Sequence, residues 1–191
     1  MTQVRPRIAL KEWAITVDAL ASGEQILLMR KGGIHEESKD FRIIHDEFLL
    51  YPTYEHQRPE LLKQPYQGNL KTLLGTQRDE TKVKFSEWAT VHEVLEISDQ
   101  EKIESLNDFH IWTDEYAQGR LHSKPMVPLS IILVRVYTLE SSTSVPFIPE
   151  YQGCTSWVDI IPKIDMENKT PVLSDAEFEV KVNEIKKALG R

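Results

Sequence analysis

Cysteine and long apolar runs are both scarce in this sequence. Cys154 is the only cysteine in 191 residues, so no disulfide can form within the chain. The longest apolar stretch is "PLSIILVRVYTL", which Arg135 interrupts and which is too short for a membrane-spanning helix. The first residues, "MTQVRPRIALKEW", lack the apolar core of a signal peptide. These absences predict a cytoplasmic protein with no membrane partner.

Positive charge is also in short supply. The 30 acidic side chains outnumber the 23 lysines and arginines, which gives a formal net charge of −7. Such a chain lacks the broad basic surface that drives non-specific binding to duplex DNA. Several basic residues are nevertheless placed near the ends of predicted elements. There they could form a local basic cleft, or they could simply lie in water on loops.

Several familiar motifs are missing as well. "RKGG" fits neither the P-loop spacing nor the dinucleotide-binding glycine pattern, and the histidines fit neither HExxH nor HxH. The stretch "EVK" has the letters of the restriction-endonuclease signature, but it belongs to an amphipathic helix where that fold needs a strand. One cysteine and scattered histidines cannot build a tetrahedral zinc site, so we expect no structural metal and no cofactor.

The spacing of apolar residues predicts the main elements. Steps of three and four residues indicate a helix over about Ala9–Ala21 and another at "SEWATVHEVLEI", within a helical insert over about residues 86–119. Apolar runs indicate buried strands at "EQILLM" and "PLSIILVRVYTL", and a short strand at "TSWVDII". Ser174 and Glu177 have the spacing of a capping box, which predicts a C-terminal helix over about residues 175–189.

These elements point to one fold class. Two long strands and at least four helices occur without the regular alternation of a doubly wound sheet. We therefore predict a single α+β domain over residues 1–191. Its sheet is expected to be mixed or antiparallel and could close into a barrel, with the helices packed outside.

Three separated stretches carry a resemblance that covers nearly the whole chain: "KEWAITVDALASGEQILLMRKGGI", "FLLYPTYEHQ" and "VRVYTL…YQGCTSWV". In this order they resemble a bacterial family known by a domain-of-unknown-function label, the 1802 family, which implies no activity. At fold level, "ALASGEQILLMR" is similar to the opening of ASCH domains, which are small barrels related to the PUA fold. That likeness implies binding of RNA or modified bases, although the insert between the strands departs from a minimal barrel.

Cations, glycines and loop aromatics form the first candidate site. The predicted ligand-binding residues are Arg30, Lys31, Gly32, Gly33, Tyr54, Arg135 and Trp157. The arginine fork and glycine backbone suit an anion, and the loop aromatics could stack bases. We therefore predict a nucleic-acid or nucleotide-binding module whose partner is RNA, DNA or a nucleotide. The alternative is a glycine turn with exposed cations, in an interaction protein without catalysis.

The partner of Arg30 distinguishes these interpretations. Because side chains alternate along a strand, Arg30 should lie on the side of Leu28, and Lys31 on the opposite side. An arginine at the rim of a core needs a partner. That partner is either an internal carboxylate, such as Asp46 or Glu47, or a phosphate, and we favour the phosphate.

Histidines and carboxylates form a second candidate site. His45, Glu47 and His56 could serve a metal-dependent hydrolase or nuclease, because imidazoles and carboxylates bind divalent metals and exchange protons near neutral pH. A turn at Pro52 would have to bring His56 back towards His45. The alternative is an edge strand with polar positions. Cys154 is expected to be a small buried residue and not a nucleophile.

Overall fold

A computed structural model describes residues 7–31, 45–124, 126–153 and 155–191. Its strands are β1 (Arg7–Trp13), β2 (Leu27–Lys31), β3 (Glu47–Thr53), β4 (Lys82–Ile97), β5 (Leu129–Pro146), β6 (Trp157–Ile160) and β7 (Lys169–Pro171). Its α-helices are α1 (Ala14–Ala21), α2 (Gln64–Gly75), α3 (Gln100–Glu104), α4 (Asp114–His122) and α5 (Asp175–Ala188). Short 3-10 turns lie at Pro59–Leu61, Asn107–Phe109 and Pro149–Tyr151. None of the described helices is long and apolar enough to cross a membrane.

The described strands form one mixed sheet in the order β2-β5-β4-β3-β1-β6, with β7 paired to β5. β1 and β3 run parallel, and the other neighbours run antiparallel. The prediction of an α+β fold with a mixed or antiparallel sheet is confirmed. Among the described residues, β1 and β2 are not paired through their backbones. The sheet is therefore not closed into a barrel.

The sheet nevertheless curls around a shared core. Leu10 of β1 and Leu28 of β2 belong to one buried cluster, although their strands lie towards opposite ends of the sheet. Phe48 and Ile132 add side chains from β3 and β5, and α1 covers this cluster with Val17. A second cluster joins the other side of β2 and β5 to apolar residues of α2, α3, α4 and α5. The curl brings β1 and β2 close enough for long side chains to meet.

The predicted helix over Ala9–Ala21 is wrong in its first half, because β1 runs to Trp13 and α1 begins only at Ala14. Ala9 is fully buried between two strands, with Leu49 as its partner on β3 and Val158 on β6. Pairing with a strand on each side provides hydrogen-bond partners for the backbone N–H and C=O groups of β1. This pairing overrides the local preference of an alanine- and leucine-containing stretch for helix.

The predicted helix at "SEWATVHEVLEI" is also wrong, because this stretch lies in β4, and the helical insert begins only at Gln100. The cause is an irregularity of the strand. The register with β5 shifts between Val91 and Glu93, which interrupts the two-residue alternation of side chains. Apolar residues therefore fall at helix-like intervals in an extended strand. By contrast, the C-terminal helix and its capping box of Ser174 and Glu177 are present as predicted.

The turn from α1 to β2 depends on Gly23. Its φ of +76° lies in the left-handed region, and an added Cβ would lie 2.7 Å from Cδ2 of Leu173. Gly23→Ala is therefore expected to lower the free energy of unfolding by about 1–2 kcal/mol, measured by urea denaturation. Gly68→Ala is the matched control, because a Cβ at this position of α2 meets nothing within 4 Å. Equal effects of the two substitutions would contradict the prediction.

Candidate functional site

Arg30 connects β2 to β1, two strands that are not paired with each other in the sheet. From β2 its Nη2 donates a hydrogen bond of 2.7 Å to the backbone oxygen of Lys11 on β1. The same nitrogen forms an ion pair with the carboxylate of Glu12, and the two side chains are only 14% and 11% exposed. The partner of Arg30 in this structure is thus an internal carboxylate. It belongs to Glu12 and not to Asp46 or Glu47, the candidates on the neighbouring strand that the sequence suggested.

Lys31 leaves β2 on the opposite side, in agreement with the predicted alternation. Its ammonium group donates a hydrogen bond to the backbone oxygen of Leu121 in the last turn of α4. A cation at this end of a helix is stabilised by carbonyl groups that have no partner within the helix. Burial lowers the pKa of Lys31. The contact joins the end of β2 to α4.

An aromatic group with a second arginine lies at this junction. Tyr116 of α4 stacks on Trp112 with ring centroids 4.9 Å apart, and it meets Trp13 at 5.5 Å. The guanidinium of Arg120 lies 5.1 Å from the centre of the Tyr116 ring. Position 120 follows position 116 by one helical turn, so the two side chains share a face of α4.

The charges of Arg120, Glu12 and Arg30 all act on Tyr116. Burial raises the pKa of Tyr116, the charge of Arg120 opposes this increase, and Glu12 adds to it. Arg30 also acts on Tyr116 and lowers its pKa. We call Glu12, Arg30, Lys31, Tyr116 and Arg120 the β2–α4 site. With three cations and one carboxylate, this site is locally positive in a chain of net charge −7, which suits an anionic ligand.

Three members of the β2–α4 site were missed as site residues by the sequence interpretation: Glu12, Tyr116 and Arg120. The spacing of Tyr116 and Arg120 indicates a shared helical face, but it does not say which strand that face meets. The sequence predicts a helix at Glu12, where nothing would orient its side chain towards Arg30. Arg30 and Lys31 were the part of the site that the sequence could indicate.

The other predicted ligand-binding residues lie in different places. Arg135 forms an ion pair with Asp175 at the start of α5, and its guanidinium lies 5.2 Å from the ring centre of Phe178. On β5, Arg135 lies five residues beyond Ser130, the partner of Arg30, so it is roughly 17 Å further along the strand. Gly32 and Gly33 lie outside the described residues. Arg30, Lys31 and Arg135 therefore do not line one cleft.

The two loop aromatics are also separated. The Trp157 ring packs edge-on against His45 at 5.2 Å and against Phe48 at 5.1 Å. Tyr54 instead follows the end of β3, with the guanidinium of Arg78 4.1 Å from its ring centre. Tyr54 follows Thr53, the partner of Trp13, whereas Trp157 pairs with Leu10, so the two aromatic residues lie to opposite sides of Glu12 along the paired strands.

The residues of the metal hypothesis do not converge. His45 lies before β3 and His56 lies beyond its end, so the seven residues of the strand separate them by roughly 20 Å. His56 is in a turn with its side chain 93% exposed, and Glu47 is exposed at the first position of β3. Among the described residues, no group of three or more His, Cys, Asp or Glu side chains could hold a metal ion. Cys154 lies outside the described residues.

Comparison with known families identifies the family of this chain. The profile described as "Domain of unknown function (DUF1802)" matches residues 9–184. The chain belongs to this family. The DUF1802 match covers every residue of the β2–α4 site, from Glu12 to Arg120. A search of curated proteins gives no match.

Solved structures similar to this DUF1802 chain include ASCH from Zymomonas mobilis, with 11% identity and a TM-score of 0.44 over 92% of this chain and 93% of that one. A single-substitution mutant of the Zymomonas mobilis ASCH protein is similar with 9% identity and a TM-score of 0.42, over 94% of this chain and 98% of that one. The resemblance to the 1802 family that the sequence indicates is therefore confirmed.

Proposed function

We propose that this DUF1802 domain binds single-stranded nucleic acid at the β2–α4 site. The observation that carries the proposal is the stacking of Arg120 on Tyr116, at the end of α4 that Lys31 contacts and beside the ion pair of Arg30 and Glu12. Arginine and lysine side chains bind phosphate oxygens, and this contact supplies most of the affinity of proteins for nucleic acids. Trp13 is half-buried beside Tyr116 and adds an aromatic surface at the edge of the site.

The charge distribution favours a short single strand over a duplex. A duplex presents phosphates along an extended surface, and the net charge of −7 would repel most of them. A few phosphates of a single strand can instead contact the positive β2–α4 site alone. Arg120 is the best-placed phosphate ligand, because it contacts the Tyr116 ring and has no ion-pair partner among the described residues.

Arg120→Ala is therefore expected to weaken binding of a labelled single-stranded RNA or DNA by about tenfold. Loss of one phosphate contact should also reduce the slope of log affinity against log salt concentration by about 1. Fluorescence anisotropy titrations at several salt concentrations measure both quantities. A melting curve recorded for each variant checks that the fold is retained.

Lys187→Ala is the matched control, because it removes an exposed cation from the last turn of α5, away from the β2–α4 site. We expect it to leave the affinity and the salt slope unchanged. Equal weakening by Arg120→Ala and Lys187→Ala would mean that binding follows net charge alone. Absence of binding by the native chain to both RNA and DNA would refute the proposed function.

A further inference from the structure

Tyr54 and Arg78 form a cation–π pair at the surface, away from the β2–α4 site. The guanidinium carbon of Arg78 lies 4.1 Å from the ring centre of Tyr54, which is the distance of direct stacking. The Arg78 side chain is 33% exposed, and it also forms an ion pair of 3.2 Å with the exposed carboxylate of Glu80. An arginine stacked on an aromatic ring offers a planar face for a base and a charge for a phosphate.

The paired strands connect this surface to the β2–α4 site. Thr53, which precedes Tyr54, is opposite Trp13 in the parallel ladder of β3 and β1. Its hydroxyl donates a hydrogen bond of 2.9 Å to the backbone oxygen of Glu12, the residue whose carboxylate binds Arg30. Pro52 is the partner of Glu12, so Tyr54 lies two residues, about 7 Å, further along the strand than Glu12. A stacked single strand covers this distance in about two nucleotides, at about 3.4 Å each.

The segment that carries Tyr54 is held in place. Oε1 of Gln57 accepts a hydrogen bond of 3.1 Å from the backbone N–H of Ile15, one of the N–H groups at the start of α1 that have no helical partner. His56 between them adopts a φ of +59°, a conformation that costs energy for a residue other than glycine. The anchored turn fixes the direction of the chain as it leaves β3.

We propose that Tyr54 and Arg78 form a second contact for the same ligand, so that one single strand spans from the β2–α4 site to this surface. A base stacks on the Tyr54–Arg78 pair while phosphates further along the same strand lie at Arg120 and Lys31. This inference rests on the proposed function and adds a footprint and a base-stacking position to it.

The test uses labelled oligouridylate of about eight nucleotides, which is long enough to reach both contacts. In anisotropy titrations with the full chain, Tyr54→Ala and Arg78→Ala should each weaken binding by about tenfold. Tyr54→Phe keeps the ring and should bind like the native chain. Only Arg78→Ala should reduce the salt slope, because it alone removes a positive charge.

Lys71→Ala, which removes an exposed cation from α2, is the control and should leave binding unchanged. If Arg120→Ala weakens binding while Tyr54→Ala and Arg78→Ala do not, the second contact is wrong and the proposed function stands. If the native chain does not bind the oligouridylate or any other single strand, the proposed function itself fails. Arg78 is partly exposed, so its variant tests the contact even if Tyr54→Ala unfolds the chain.

Discussion

Replacing Arg30 by alanine should lower the free energy of unfolding by about 3 kcal/mol. The substitution removes the bond to the Lys11 backbone oxygen and leaves the carboxylate of Glu12 nearly buried without its partner. An unpaired charge of this kind is costly, because the protein interior solvates it poorly. The bridge between β1 and β2 is lost at the same time. Urea denaturation monitored by circular dichroism measures the difference.

Two further variants isolate the cause. Arg30→Ala combined with Glu12→Ala should recover part of the loss, because no charge is then left without a partner. Arg58→Ala removes an arginine whose ion pair with Glu60 has both side chains 58% exposed, and it should change stability by less than about 0.5 kcal/mol. If Arg30→Ala retains native stability and loses only nucleic-acid binding, Arg30 serves the ligand and not the fold.

The two interpretations of Arg30 that the sequence leaves open differ in the partner of its guanidinium group. The sequence favours a phosphate partner, since the arginine fork and the neighbouring glycines suit an anion. The structure provides a carboxylate from β1, which an isolated sequence could not identify because Glu12 lies 18 positions away. The alternation of side chains along β2, by contrast, is a local property, and it was predicted correctly for both Arg30 and Lys31.

The same distinction between local and distant causes applies to the fold. The apolar run of β5 and the capping box of α5 depend on neighbouring residues, and both were predicted. The sequence predicts helices in β1 and β4 because their extended state depends on partner strands, and β4 contains a register shift that imitates helical spacing. Tyr116 and Arg120 could be paired on one helical face, but their meeting with Trp13 and Arg30 depends on how the whole sheet curls.

Glu87 has an unusual environment in β4. It follows the register shift between Phe85 and Glu87, and its Cα partner on β5 is Thr138. Its side chain is half-buried on the same side of the strand as Ala89, a member of the cluster that the sheet encloses. Burial raises the pKa of Glu87 to about 7, Lys84 opposes this effect, and Asp18 on α1 adds to it. Glu87 therefore binds a proton in the folded chain at pH values where most carboxyl groups have lost theirs.

Stability should consequently fall as the pH rises from about 5 to about 7. In this interval the folded state holds a proton on Glu87 that the unfolded state has released, so raising the pH favours unfolding. Half-burial limits the loss to about 2–3 kcal/mol, since one pKa unit corresponds to about 1.4 kcal/mol.

Glu87→Gln keeps the shape of the protonated side chain but cannot ionise. Its stability relative to the native chain should therefore increase across this pH range, in urea titrations at about pH 5, 6, 7 and 8. Glu179→Gln, on the exposed side of α5, is the control and should follow the native pH profile. A Glu87→Gln profile parallel to the native one would show that Glu87 is already ionised in the folded state.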